Sequence, residues 1–227
     1  MKWAVAFFLL APGFSAFSAE NQTLPSDSAF LEKAKDILGD RFHYVQQRVN
    51  RLGSKTIELE AYLSAQADLE LGKDIFSDYG GLAKWILPGV NERPTGGTYY
   101  MHFLGIVWDP KISNQITTKL AFTLPFFTQE LERSFVLART PSKECFNLEV
   151  ESLPSDSSLI ERVTGGFKLC GIPKQKQRAW GYVRGAAVFR SWFIYEAISD
   201  RVLKKEAGER ILKIIENYQT EENRRRK

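Results

Sequence analysis

A chain of 227 residues, 44% hydrophobic and 26% charged, has the composition of an ordinary globular protein with room for one ample core. Its 31 Lys and Arg against 27 Asp and Glu leave a formal charge of only +4 with both signs intermixed, which argues against a nucleic-acid partner. No stretch approaches the length of a transmembrane helix.

Residues 1–19 read as a signal peptide. Lys2 is a minimal positive n-region, Ala4–Ala11 is an apolar core too short to span a bilayer as a mature helix, and Pro12-Gly13 breaks it. Small residues up to Ala19 offer cleavage before Glu20, so the expected location is periplasmic or secreted; the bland alternative is a buried N-terminal strand or helix. Residues 20–26 are polar, and Asn21-Gln22-Thr23 matches a common glycosylation acceptor motif without meaning in a bacterial periplasm. Ser26 or Asp27 can cap a helix through Leu38, with Phe30, Leu31, Ala34, Ile37 and Leu38 on one face. Phe42–Arg51 is a weaker strand, diluted by Gln46, Gln47, Arg48 and Asn50.

Thr56–Ser64 alternates, with Ile57, Leu59, Ala61 and Leu63 on one face and Glu58, Glu60 and Tyr62 on the other. Helical spacing follows from Asp68 through Phe76, and a second short helix at Leu82–Ile86 ends at Pro88-Gly89. Strands are then expected at about 98–108, 116–124, 130–138, 144–151, 159–170 and 180–195. The chain closes on a long helix, roughly Ile198–Tyr218, whose apolar positions recur at spacings of three and four while Lys204, Lys205, Glu206, Glu209, Arg210 and Lys213 face water. Such a stripe needs a broad apolar surface to lie on, and a curved sheet supplies one. The class is α+β with a mostly antiparallel sheet.

The only two cysteines, Cys145 and Cys170, fall on the outward faces of neighbouring strands. Simple register sets Cys145 opposite roughly residue 167, and a bulge at Gly165-Gly166 would absorb part of the offset. An oxidising compartment favours a disulfide; a cytoplasmic chain would keep two free thiols.

Ser64-Ala65, Asp78, Trp85 and Pro88-Gly89-Val90, in that order and spacing, resemble the opening of START-like, polyketide-cyclase-like (SRPBCC) helix-grip domains. The resemblance covers residues 55–219 and implies a curved seven-stranded or slightly larger antiparallel sheet wrapped around the C-terminal helix. Residues 20–54 form an N-terminal extension with a short helix and an extra strand, and residues 220–227 a basic tail. The proline often found before the last helix is absent, as is the glycine-rich loop of the allergen branch.

Such a fold can enclose an apolar cavity between sheet and helix. Alternation points inward at Leu120, Phe122, Leu124, Leu131, Phe135 and Leu137, and again at Phe146, Leu148, Val150, Val183, Ala187, Phe189 and Phe193. From these we take Phe122, Phe135, Phe146, Phe189 and Phe193 as candidate ligand contacts, with Ile211 from the helix and Trp85 beside the cavity mouth. The same residues would equally fill a solid core. Lys119, Glu130, Glu132, Asn147, Glu149, Arg184 and Arg190 fall on the opposite face, as solvent-facing residues do. Arg133 breaks the inward pattern, so it is either a ligand headgroup or carboxylate contact, or else a snorkelling rim residue or the partner of an acid of the sheet. His43 and His102 are far apart and lack metal-ligand spacing, and no nucleophile elbow, phosphate loop or dinucleotide fingerprint occurs. No metal, cofactor or catalytic residue is therefore expected. Arg224, Arg225, Arg226 and Lys227 can touch anionic lipid headgroups or remain solvated. The sequence reads as an exported, non-catalytic binder of a hydrophobic small molecule, a lipid foremost. The alternatives are a START-like cyclase or dehydratase, or a protein-interaction module with a filled core.

Overall fold

The computed structural model describes residues 24–53, 55–90, 100–124, 127–140, 142–154, 160–172, 174–190, 195–196 and 199–227. The expected signal peptide, the Asn21 acceptor, Phe193 and the side chain of Phe122 lie outside them.

Helix α1 (Asp27–Leu38) starts where Ser26 Oγ accepts the Ala29 amide at 3.4 Å, and stops at Gly39, whose φ of 52° suits a residue without a Cβ. Strands β1 (Tyr44–Leu52) and β2 (Thr56–Gln66) form a hairpin. Helix α2 (Leu69–Ser77) is capped by Asp68, whose carboxylate accepts the Glu70 and Leu71 amides at 3.1 and 3.2 Å. Helix α3 (Leu82–Ile86) follows at once. Strands β3 (Tyr100–Trp108), β4 (Gln115–Leu124), β5 (Phe127–Thr140), β6 (Cys145–Ser152), β7 (Ile160–Ile172) and β8 (Gln175–Phe189) then pair successively, and helix α4 (Asp200–Arg225) ends the chain.

The eight strands make one antiparallel sheet in the order β1-β2-β8-β7-β6-β5-β4-β3. Six strands meander, and the β1–β2 hairpin joins the meander through β8. The sheet is curved and α4 lies in its concavity. Leu203, Ala207, Ile211, Ile214, Ile215 and Tyr218 of α4 are buried with Ile57, Leu59, Ala61 and Leu63 of β2 in the main core. Burying a stripe of this size contributes on the order of 10 kcal/mol before the entropy of ordering it. This is the helix-grip arrangement that the sequence motifs resemble, with eight strands.

Several sequence expectations change. The last strand ends at Phe189 rather than near 195, and Tyr195 and Glu196 are helical. Helix α4 runs to Arg225 rather than Tyr218, so most of the expected tail is helical. Arg210, expected to face water, is buried. The larger change is on the convex face, which is not simply a solvent face. Helix α1 packs there, and Phe30, Ala34 and Leu38 form a second core with Tyr62, Tyr182, Trp180, Ile172 and both cysteines. Under α1 the Lys168 ammonium is buried and paired with Asp27, which also accepts from Ser142. Burial alone would raise the Asp27 pKa, but Lys168 and Ser142 hold it below the usual carboxylate range. Asn147 and Glu58 are also buried on this side, Glu58 by its pairing with Arg184 (Nε–Oε2 2.9 Å).

Cys145 stands directly opposite Cys170, with Cα atoms 4.1 Å apart, and the two form a disulfide. The Gly171 amide donates to Glu144 O next to them, so the cysteines occupy a non-hydrogen-bonded pair, where Cα atoms approach to about 4.5 Å. No bulge at Gly165-Gly166 is needed: Val150 and Glu149 pair regularly with those glycines. Gly166 instead admits the N-terminal segment, since a Cβ there would lie 2.5 Å from Leu24 Cδ2.

Replacing both cysteines with serine should lower stability by roughly 3 kcal/mol in urea melts, the effect of opening a loop of this length. Because α1 covers both sulfurs, dithiothreitol should leave the native protein oxidised far longer than the urea-unfolded chain. Thiol alkylation with mass readout checks both.

Candidate functional site

Between the concave face and α4 lies a cavity of about 50 Å³. Strand β2 contributes Leu63 and Ala65, the β2–α2 link Ala67, β7 Phe167 and Leu169, and β8 Val183. Helix α2 supplies Phe76, and α4 supplies Ile211, Ile214, Ile215 and Tyr218. Each strand residue faces inward by the period of two, and the helix residues share a face by the spacing of three and four.

The wall is hydrocarbon and aromatic except for one hydroxyl. Tyr218 donates that hydroxyl to Asp68 O at 3.4 Å. Burial, reinforced by neighbouring Glu222, pushes its phenol well above the usual range, so it stays neutral at physiological pH. The chemistry this wall offers is desolvation of apolar surface.

Phe76 is the hub of the wall. Its ring lies 4.8 Å from Phe167 and 5.4 Å from Tyr218, and also 5.6 Å from Phe146 and 5.7 Å from Trp85. Of the candidate ligand contacts among the described residues, only Ile211 lines the cavity directly. Phe146 and Trp85 stand one ring behind it, against Phe76. Phe135 and Phe189 are in the same core further along the sheet, as are the Leu148 and Val150 positions. Phe76 and Phe167 are not among the sequence candidates. The signal for both was present: each is an aromatic residue in phase with its element's buried face.

Trp85 is only 5% exposed, and its indole Nε1 is buried without a hydrogen-bond acceptor. It packs edge-on to Tyr218 as well, with ring centroids 6.2 Å apart.

Arg133 faces inward and is 3% exposed, but it serves the far end of the sheet. Its guanidinium donates to the carbonyls of Ile160 and Glu161 at the start of β7 and of Leu153 just past the end of β6. Ile160 and the cavity residue Leu169 are nine positions apart on β7, which is about 30 Å at the rise of a strand. Desolvation, and secondarily the nearby Arg190, pull the Arg133 pKa down to about 10. The acceptors described for this buried guanidinium are backbone carbonyls, where the sequence offered a headgroup, the solvent at the rim or an acid of the sheet.

The end of α4 is tied to both ends of α2. Glu222 accepts the Asp68 amide at 3.3 Å and pairs with Arg226, while Arg225 bridges Glu221 and Asp78. Arg224 also donates to Glu221 through two nitrogens. These contacts engage Arg224, Arg225 and Arg226 with the protein's own carboxylates.

Comparison with protein-family models gives no match, and comparison with curated proteins gives none either. Among solved structures the chain is similar to the STAR-related lipid transfer protein of Xanthomonas axonopodis, at 13% identity over 73% of this chain and 93% of that one, with a TM-score of 0.43. It is similar to a conserved protein of Geobacillus kaustophilus at 13% identity, over 73% and 94% of the two chains, with a TM-score of 0.49. The Zhui aromatase/cyclase of Streptomyces sp. R1128 is 12% identical over 81% and 97%, with a TM-score of 0.41. At these identities and scores the likeness says nothing of ligand or reaction.

Trp85→Ala should cost about 3–5 kcal/mol in denaturant melts, the range for emptying a buried aromatic site. Trp85→Phe should cost much less, since it keeps a ring against Phe76 and removes the unpaired N–H.

Glu221 is expected to confer acid sensitivity. The Arg224 hydrogen bonds, with those of Arg225, hold its carboxyl down to about 2. A depressed folded-state pKa means stability that is present above the unfolded-state value near 4.5 and lost as pH falls toward about 2. Glu221→Gln should therefore be less stable than the parent by about 1 kcal/mol at neutral pH, a modest value because Arg224 is largely exposed and screened. The difference should close as the pH is lowered, as followed by urea melts across pH.

Proposed function

We propose that the protein binds an uncharged or weakly polar apolar molecule, a lipid foremost, in the cavity between the sheet and α4, without carrying out chemistry on it. The observation that supports this most is the wall itself: eleven residues from β2, the β2–α2 link, α2, β7, β8 and α4 converge on one space, and the only titratable side chain among them is a phenol held neutral. Desolvating hydrocarbon against such a wall is favourable at roughly 25 cal/mol per Å², and a bare carboxylate there would meet no cation.

The space of about 50 Å³ is far below the roughly 300–1,000 Å³ of ligand sites, so it holds part of a ligand only. Full occupancy requires α4 and α2 to move apart, with Phe76 and Tyr218 yielding between them. Phe146 and Trp85 then act as the second layer of the site, and Phe135 and Phe189 as its extension along the sheet. Arg133 is the one inward charge along that extension. Export to an oxidising compartment belongs to the same reading, supported by the disulfide between Cys145 and Cys170.

Native mass spectrometry of protein purified from its own compartment tests both parts at once. The expected result is a mature chain beginning near Ala19 or Glu20 and carrying an extractable apolar molecule. Ala65→Phe, which fills the cavity from β2, should fold with stability within about 1–3 kcal/mol of the parent and lose that molecule. A ligand-free parent, or an Ala65→Phe variant as loaded as the parent, would exclude this cavity as the site.

A further inference from the structure

Strand β3 lies at one end of the sheet, and among the described residues it is hydrogen-bonded to β4 alone. Half of its backbone N–H and C=O groups therefore point away from the sheet, as on any terminal strand. Natural sheets normally blunt such an edge with charged side chains, with proline, or with a covering element. The opposite edge of this sheet follows that rule: β1 carries Arg48 and Arg51, α4 packs against it, and Gln47 Nε2 donates to Lys204 O at 2.6 Å.

Strand β3 is touched by helix α3 but is not blunted by charge. Its sequence, Tyr-Met-His-Phe-Leu-Gly-Ile-Val-Trp, contains no Lys, Arg, Asp or Glu. Every other strand contains at least one. The charge-free run extends from Pro94 to Trp108 in the sequence. Exposed apolar side chains collect on and beside this strand: Val107 is 55% exposed, Leu104 46%, and Ile112 in the turn to β4 44%. The edge strand is thus the least charged of the sheet, and with the turn that follows it bears three of the six exposed large hydrophobic residues among the described residues.

We propose that this edge is an interface between two copies of the chain, whose β3 strands pair antiparallel about a two-fold axis and join the two sheets into one. A two-fold pairing sets each residue of the strand against another residue of the same strand, so a charge on it would face a like charge or impose one register. A charge-free strand meets neither obstacle. The bulge at Leu104, where the β3–β4 register shifts between Phe103 and Gly105, breaks the edge and leaves Gly105–Trp108 as its regular stretch. Pairing centred on Val107 sets that residue directly against Val107 of its partner and brings the two side chains onto a common outer face. Leu104 and Ile112 flank that contact. This interface is independent of the cavity and of what the cavity holds.

The full mature chain, followed by sedimentation velocity from micromolar toward millimolar concentration, should pass from monomer to dimer. Val107→Lys, which places two ammonium groups across the axis, should weaken association at least tenfold. Val107→Thr, β-branched and neutral, should stay near the parent. Leu212→Lys, on an exposed part of α4, should associate as the parent does. Deuterium exchange at the Gly105–Trp108 amides should slow as concentration rises, a readout that needs no variant. A parent that stays monomeric throughout, exchange at these amides that ignores concentration, or a folded Val107→Lys variant that dimerises like the parent would each overturn the proposal.

Discussion

The sheet of this protein has two faces that both need cover, and the contact on which the rest depends is the aromatic packing around Phe76 on the concave side. Phe76 comes from α2, Trp85 from α3, Phe146 and Phe167 from neighbouring strands, and Tyr218 from α4. One ring therefore joins every layer on that face, with neighbours held at the 4.5–7 Å typical of offset and edge-on pairs. The cavity is what remains where these rings and the aliphatic stripe of α4 do not quite close over β2, β7 and β8. Its apolar character follows directly, because the elements that define it are the ones that had to bury hydrocarbon.

Charge is placed around this core to fix the positions of the helices. On the convex side a buried lysine on β7 meets the first residue of α1, so the helix is registered on the sheet by Lys168 and Asp27 as well as by Phe30, Ala34 and Leu38. A buried pair of this kind is weak evidence for stability but strong evidence for one docking geometry, since parting the two would leave a charge without a partner. On the concave side the last two turns of α4 carry no apolar stripe, and Glu221, Glu222, Arg225 and Arg226 hold them against Asp68 and Asp78 at the two ends of α2. The helix that walls the cavity and the helix that roofs it are thus fastened to one another by groups that respond to pH and salt.

The disulfide sits between these two arrangements. It staples β6 to β7 on the convex face beneath α1, while the opposite face of the same two strands presents Phe146 and Phe167 to the core. Rigidity on one side of the sheet therefore bears on the geometry of the wall on the other, through the alternation of a single pair of strands.

Much of this was legible in the sequence because it is local. Alternation located β2 and the meander, capping residues located α1 and α2, and the spacing of three and four located the buried face of α4. The cysteines could be paired on strand phase alone, though the register was three residues off, because a turn's centre cannot be read closely from Pro and Ser. What was not legible depends on partners distant in sequence. The α1 stripe does not say which surface it covers, so Tyr62 and Asn147 read as outward-facing when a helix far away in sequence buries them. Residues 219–225 have no apolar period, so the helix appeared to end at Tyr218; only the carboxylates of α2 make its continuation favourable. The cavity was placed too far along the sheet for the same reason. Period-two alternation tells which side of a strand faces inward, but only the path of α4 across the sheet decides which inward residues are left without a neighbour.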